Sequence, residues 1–278
     1  MGYCRRMSGD AHPPEASGFP ATLVRQVLDD ALRVPSRPCI FAIAGLQGSG
    51  KSTLAAQVVD AAIGAGLAAA TVSIDDFYLT RAQRRALAAH VHPLLATRGP
   101  PGTHALPLAL STLDALRAGG NLALPRFDKL ADDRAPAAQW PTVNGRLDLL
   151  VIEGWFLGTP AQDADALAEP INALERDEDP DGTWRRWCND TLARDYPALW
   201  ARFDRLWFLQ GPDFDIVPQW RWQQEQALQA AQPQRRGMTR TQLDCFVQFY
   251  ERVSRQALRT LPAIADRTIA LDDHRHPL

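Results

Sequence analysis

A run of six apolar residues, Cys39 to Ala44, passes directly into Gly45-Leu46-Gln47-Gly48-Ser49-Gly50-Lys51-Ser52-Thr53, which fits the spacing G-x-x-x-x-G-K-[ST]. A helical pattern, KSTLAAQVVDAAIGAG, begins at its end. That context predicts a strand, a tight glycine-rich turn and a helix. Glycines let successive backbone N–H groups turn inward on phosphate oxygens, and the helix offers its positive end. Lys51 is placed to reach the β- and γ-phosphates of a nucleoside triphosphate, and the Ser52 hydroxyl to hold Mg²⁺. Residues 45 to 53 are therefore the expected nucleotide-binding loop.

The rest of the chain repeats the alternation. Short apolar runs lie at 69–75, 146–154, 204–210 and 266–272, separated by helical patterns. Short β runs alternating with helices predict an α/β fold with a doubly wound, mainly parallel sheet covered on both faces. With 278 residues, 46% hydrophobic and 22% charged, the chain has material for a full core. Residues 1 to 37 read as a tail and a packing helix, ATLVRQVLDDALRV, and 38 to 278 as the phosphate-loop domain. Between 94 and 146 the pattern breaks into Pro- and Gly-rich loops around one helix, an insertion that faces the acceptor. Residues 213 to 262 read as two long helices with a break near QPQRRGM.

The net charge of -2 excludes a general positive field for nucleic acid. No stretch reaches the ~20 apolar residues of a bilayer span. The first 18 residues lack an apolar segment behind their basic residues, so no secretory signal is expected. Four scattered cysteines show neither metal-ligand nor disulfide spacing, which points to a reducing cytoplasm. Cys39 and Cys245, both in apolar runs, are expected to pack as small hydrophobes, and Trp184, Trp187, Trp200 and Trp207 as core. Of 30 basic residues only Lys51 and Lys129 are lysines. Against such a bias toward arginine, each marks a place where a compact ammonium is required.

The second strand ends in Ser73-Ile74-Asp75-Asp76-Phe77-Tyr78, two carboxylates at the sheet edge where open α/β folds bind ligands. Asp75 is the candidate acceptor of a hydroxyl proton, and Asp76 a helix cap or a metal-linked group. LLVIEG ends in Glu153, where a carboxylate meets Mg²⁺ or its water. The absence of an Asp-Glu pair here favours transfer over hydrolysis. Arg98, His104, Arg126, Lys129 and Arg134 crowd the insertion and, with Tyr78, form a candidate site for a small carboxylated acceptor. Surface ion pairs with Asp128, Asp132 and Asp133 are the competing use of these cations.

The set GLQGSGKST, SIDDFYLT, RGPPGTH, LPRFDK with a following DDR, VIEGWFLG, PQWRWQQE and GMTRTQLDCFVQFYERV resembles the glycerate kinase group of P-loop kinases, kin to phosphoribulokinase, uridine kinase and pantothenate kinase. The resemblance runs from about residue 38 to 272. It implies ATP and Mg²⁺, with phosphoryl transfer to a hydroxyl of D-glycerate giving 3-phosphoglycerate. By it Asp75 falls on the catalytic base, Lys51 and Ser52 on the phosphate and magnesium ligands, and Glu153 on the second magnesium-linked carboxylate. Arg221 falls on a lid arginine, with a lid helix at about 213 to 240. One position departs: where that pattern reads GTHD, this chain has Gly102-Thr103-His104-Ala105. Either Asp76 or Asp133 supplies the carboxylate, or the acceptor differs. A kinase of the same fold for pantothenate, a nucleoside or a sugar phosphate stays open, as does a nucleotide-dependent switch without acceptor chemistry.

Overall fold

The computed structural model describes residues 18–231, 234 and 237–278. Most of the expected N-terminal tail, and part of the break near QPQRRGM, lie outside the described residues. Five strands, β1 (Cys39–Gly45), β2 (Ala69–Ser73), β3 (Leu149–Gly154), β4 (Arg205–Gln210) and β5 (Arg267–Ala270), form one sheet in the order β2-β3-β1-β4-β5, every pair parallel. β1 is central, with Ile43 opposite Glu153 on β3 and Trp207 on β4.

A parallel sheet needs a crossover after each strand, so both its faces are covered and its strands read as continuous apolar runs. Side chains alternate across a strand, which divides β1, β3 and β4 by parity. Phe41, Ile43, Val151, Trp207 and Leu209 face α1 (Ala21–Arg33) and α2 (Lys51–Gly64). Ile40, Ala42, Leu150, Ile152 and Phe208 face α4 (Leu106–Ala118), α5 (Thr183–Asp195) and the second half of α7 (Arg240–Ile264). The remaining helices that position the site are α3 (Arg81–His90) and α6 (Val217–Ala231). The packing helix expected from ATLVRQVLDDALRV is α1, whose buried stripe of Leu23, Val24, Val27, Leu28 and Ala31 has helical spacing. Burying each of its leucines and valines contributes about 1.5–3 kcal/mol before the entropy of ordering them.

α4 differs from the insertion expected at 94–146. Leu106, Ala109, Leu113 and Leu116 bury its apolar stripe against the sheet, so it serves as crossover between β2 and β3. What projects is the segment after it, tied by two short antiparallel ladders, Leu122–Ala123 with Thr142–Val143 and Phe127–Asp128 with Asp133–Arg134. Trp184 and Trp207 are buried, and Trp200 packs on Phe156 and Tyr196. Cys39 is buried, but Cys245 is exposed: it lies on the outer face of α7, between the buried Leu243 and Val247. No helix among the described residues is long and apolar enough to cross a membrane.

Candidate active site

β1 delivers the glycine-rich loop to the C-terminal edge of the sheet, and α2 starts at Lys51 immediately beyond it. Gly48 and Gly50 hold φ of 84° and 88°, a region that side chains with a Cβ enter at a cost. Gly48 is also held by contact: a Cβ there would sit 2.6 Å from Cβ of Trp220 on α6. The Ser49 N–H donates to the Leu46 carbonyl at 3.1 Å and closes the turn. Gln47 Oε1 and Ser49 Oγ are buried without a hydrogen-bond partner in the protein. At the mouth of a helix N-terminus the Ser49 hydroxyl can donate to a phosphate oxygen, while the Gln47 oxygen, an acceptor, suits a water or an N–H donor there.

Lys51 extends from this turn to 4.0 Å from the Glu153 carboxylate at the end of β3. Burial pulls the Lys51 pKa down, and burial pushes that of Glu153 up, while each one's charge opposes the other's shift. Ser73, the register partner of Glu153 across β2 and β3, hydrogen-bonds that carboxylate. Ser52 and Glu153 line the same cleft. Among the described residues no cluster of three or more His, Cys, Asp or Glu forms a metal cage. A hydroxyl and one carboxylate are nonetheless the hard-oxygen donors that Mg²⁺ takes when substrate phosphates supply the rest, so these residues fit it.

β2 ends in the single turn Ile74–Phe77, and the two aspartates within it have different work. Asp76 Oδ2 accepts the Ser73 N–H at 3.0 Å, completing a capping box, and pairs with Arg126 at 3.1 Å. It is a cap. Asp75 points into the cleft, where its Oδ1 accepts the Tyr78 hydroxyl at 2.7 Å and its Oδ2 accepts Lys129 Nζ at 2.7 Å. Burial alone would raise the Asp75 pKa. The charge and hydrogen bond of Lys129, the Tyr78 hydroxyl and Lys51 outweigh burial and hold the carboxyl well below the usual range. The same pairing raises the Lys129 pKa. The only two lysines of the sequence, 78 positions apart, thus share one cleft with Asp75 and Glu153.

The remaining candidates divide. Arg98 lines the cleft while its guanidinium pairs with Asp132 and lies 5.6 Å from the Phe127 ring centre. Arg221 on α6 also lines the cleft, steadied by Gln224 at 2.7 Å. Arg126 and Arg134 do not line it; Arg126 is on Asp76, and Arg134 donates to the Tyr78 carbonyl at 2.9 Å, which fixes the backbone after the aspartate turn. His104 lies behind Tyr78, their ring centres 4.8 Å apart, and is 5% exposed. The Tyr196 hydroxyl accepts the Gly102 N–H at 2.8 Å and shares a hydrogen bond with His104 Nδ1 at 2.7 Å, while His104 Nε2 is buried without a hydrogen-bond partner in the protein.

Burial lowers the His104 pKa to about 4. The unfolded chain therefore takes up this proton first, between the ordinary value near 6.5 and about 4, and native stability falls as pH drops through that window by up to about 3 kcal/mol. His104→Asn, which cannot titrate, is expected to flatten the fall of melting temperature between pH 6.5 and 4; an unchanged slope would show that other groups carry it.

Ala105 occupies the N-cap of α4 with no side-chain cap and does not line the cleft. An aspartate at this position would cap the helix. Neither expected stand-in reaches toward His104: Asp76 is held as above, and Asp133 accepts the backbone N–H groups of Arg81 and Arg134 at 3.1 and 2.8 Å.

Four residues of the cleft had no separate place in the sequence reading: Trp155, Gln224, Phe246 and Tyr250. Trp155 sits two positions after Glu153, inside the motif EGW, which was its only signal. Phe246 and Tyr250, four apart on α7, present one aromatic face that sequence cannot tell from core, with the Tyr250 hydroxyl donating to the Arg98 carbonyl at 3.0 Å.

No protein-family model matches the chain. It is 30% identical over 272 residues to an uncharacterized kinase of Schizosaccharomyces pombe, covering 92% of this chain and 95% of that one. It is 32% identical over 263 residues to a chloroplastic D-glycerate 3-kinase of Arabidopsis thaliana, covering 87% of this chain and 54% of that protein's length. Among solved structures, a D-glycerate 3-kinase from Cryptococcus neoformans superposes with a TM-score of 0.74 at 26% identity, covering 93% of this chain and 96% of that one. A glycine-rich loop at a helix N-terminus, a largely enclosed lysine behind it and an aspartate facing it agree with these likenesses: the chain belongs to the glycerate kinase group of P-loop kinases and is an ATP-dependent phosphotransferase acting on an alcohol.

Proposed function

We propose that this kinase transfers the γ-phosphoryl group of ATP to a hydroxyl of D-glycerate, giving 3-phosphoglycerate. The observation that carries the reading is the Asp75 carboxylate, oriented by Tyr78, with Lys129 and Arg98 on the walls of the same cleft as the phosphate loop. A base for a hydroxyl and fixed cations for a carboxylate lie within reach of one another, which suits a small hydroxy acid. The names of the Arabidopsis and Cryptococcus relatives support the same acceptor.

In this mechanism the backbone N–H groups of residues 45 to 53 and the Lys51 ammonium hold the phosphates, and Arg221 approaches from α6 as the lid arginine. Bound Mg²⁺, held by Ser52 and Glu153, supplies charge neutralisation on the phosphate oxygens. Asp75 orients the acceptor hydroxyl. As the bond from that oxygen to phosphorus forms and the bond to the β-phosphate oxygen breaks, the hydroxyl proton passes to Asp75. The transition state is loose, so the proton moves late and a weakly basic carboxylate suffices. Lys129 then has two anions to serve, Asp75 and the acceptor carboxylate. Trp155, Phe246 and Tyr250 wall the cleft with apolar surface, which keeps water from competing as acceptor.

The test is ADP release from Mg-ATP by the purified protein, alone and with D-glycerate, L-glycerate, pantothenate, uridine or ribulose 5-phosphate. D-Glycerate alone is expected to raise turnover into the range of about 1–100 per second usual for kinases. Stimulation by a different acceptor would move the substrate and overturn this assignment.

A further inference from the structure

Beyond β5 the chain turns back on itself. Leu271 and Pro277 form an antiparallel bridge, and the Asp272 carboxylate accepts the N–H groups of His274 and His276, each at 2.8 Å. This turn holds Arg275 at φ 70°, left-handed for a residue that is not glycine. Held there, its guanidinium does three things at once. Nε donates to the Gly48 carbonyl at 2.6 Å, an NH₂ group donates to Gln223 on α6 at 2.7 Å, and the plane lies 5.1 Å from the Trp220 ring centre. The Trp220 indole N–H returns a bond to the Asp273 carbonyl at 2.7 Å. None of these contacts is required by the sheet, and no sequence motif marks Arg275.

We propose that Arg275 is a positioning residue for the nucleotide, fixing the phosphate loop in its anion-binding shape from outside the cleft. In a trans peptide unit the carbonyl and the following N–H point opposite ways. Holding the Gly48 carbonyl outward therefore holds the Ser49 N–H inward, where it closes the turn on Leu46. Gly48 has by itself the freedom to leave φ 84° for several other conformations. The guanidinium removes that freedom before ATP arrives, so less ordering opposes binding. The planar fork spans the loop and α6 while its face rests on an indole; a lysine ammonium keeps the first contact at best.

The inference rests on residues 45 to 53 being the nucleotide site, which ATP binding by the unaltered protein tests separately: no binding there ends that reading and leaves nothing for Arg275 to position. With that binding in hand, Arg275→Gly is the decisive variant, because glycine adopts φ 70° freely and keeps the turn while the guanidinium is lost. Losing one charge-assisted bond to the loop is expected to raise the ATP Kd about tenfold. The melting temperature of the ligand-free protein should fall by less than about 4 °C, and added ethylguanidinium should restore much of the ATP affinity. Arg275→Lys, which keeps a stem over Trp220 and a single donor, should fall between the two. An ATP Kd within twofold of the unaltered protein in both variants overturns the proposal. So does weakened ATP binding that tracks a collapse in melting temperature and ignores ethylguanidinium, since that is the signature of a residue that only holds the fold.

Discussion

Asp75→Asn is expected to lower turnover by about 10²- to 10⁴-fold, the range for losing a general base, while ATP affinity changes by less than about threefold. The amide is the same size, and its oxygen still accepts the Tyr78 hydroxyl, so the turn at the end of β2 keeps its shape. What disappears is the negative charge that holds Lys129 and the site that takes the proton. The carboxyl is already pulled far below its ordinary pKa, which means it stays ionised throughout the neutral range and its contribution should not titrate there. Steady-state kinetics with ATP affinity measured separately checks the split. Turnover within tenfold of the unaltered enzyme would remove Asp75 from the base role and make its pairing with Lys129 a purely structural contact.

Lys51→Met should affect both halves of the reaction: ATP binding weaker by more than about tenfold and turnover lower by about 10²- to 10³-fold, as for removal of a preorganised charge from a transferring phosphoryl group. Stability must be followed alongside, because Glu153 is 7% exposed and loses its nearby cation. Its pKa is already pushed up by burial, so on losing Lys51 it takes up a proton more readily. Adding Glu153→Gln to Lys51→Met should therefore recover melting temperature without recovering turnover. If the single variant keeps its ATP affinity and turnover, the glycine loop is not the phosphate site.

The strand, glycine loop and helix around residue 45 were legible because local chemistry dictates them: six apolar residues, glycines at positive φ, and a helix that starts on a lysine. The sheet followed from the same logic, since strands buried on both faces carry their signature as unbroken apolar runs. α4 was harder to place, because Pro and Gly on either side of residues 106 to 118 disguised a crossover helix as part of an excursion. The cations of the insertion show where sequence stops. Arg126, Lys129 and Arg134 lie within nine positions of one another, yet one serves a cap, one faces the cleft and one braces a carbonyl. Which carboxylate or carbonyl each meets, some fifty positions away, is decided by how the ladder of 127–128 with 133–134 folds over the turn that follows β2. Residue type carries no trace of that choice. The aromatic wall from α7 was invisible for a related reason, because a core face and a cleft face have the same helical periodicity.

The pairing of Lys51 and Lys129 across the cleft has a practical reach. In most proteins amine chemistry is diffuse, scattered over dozens of surface side chains. In this sequence every other basic side chain apart from histidine is a guanidinium, so a reagent selective for ε-amines addresses two atoms, one well shielded beside Glu153 and one more open beside Asp75. Both lie in one cleft, and an amine label is thereby a footprint of whatever fills it.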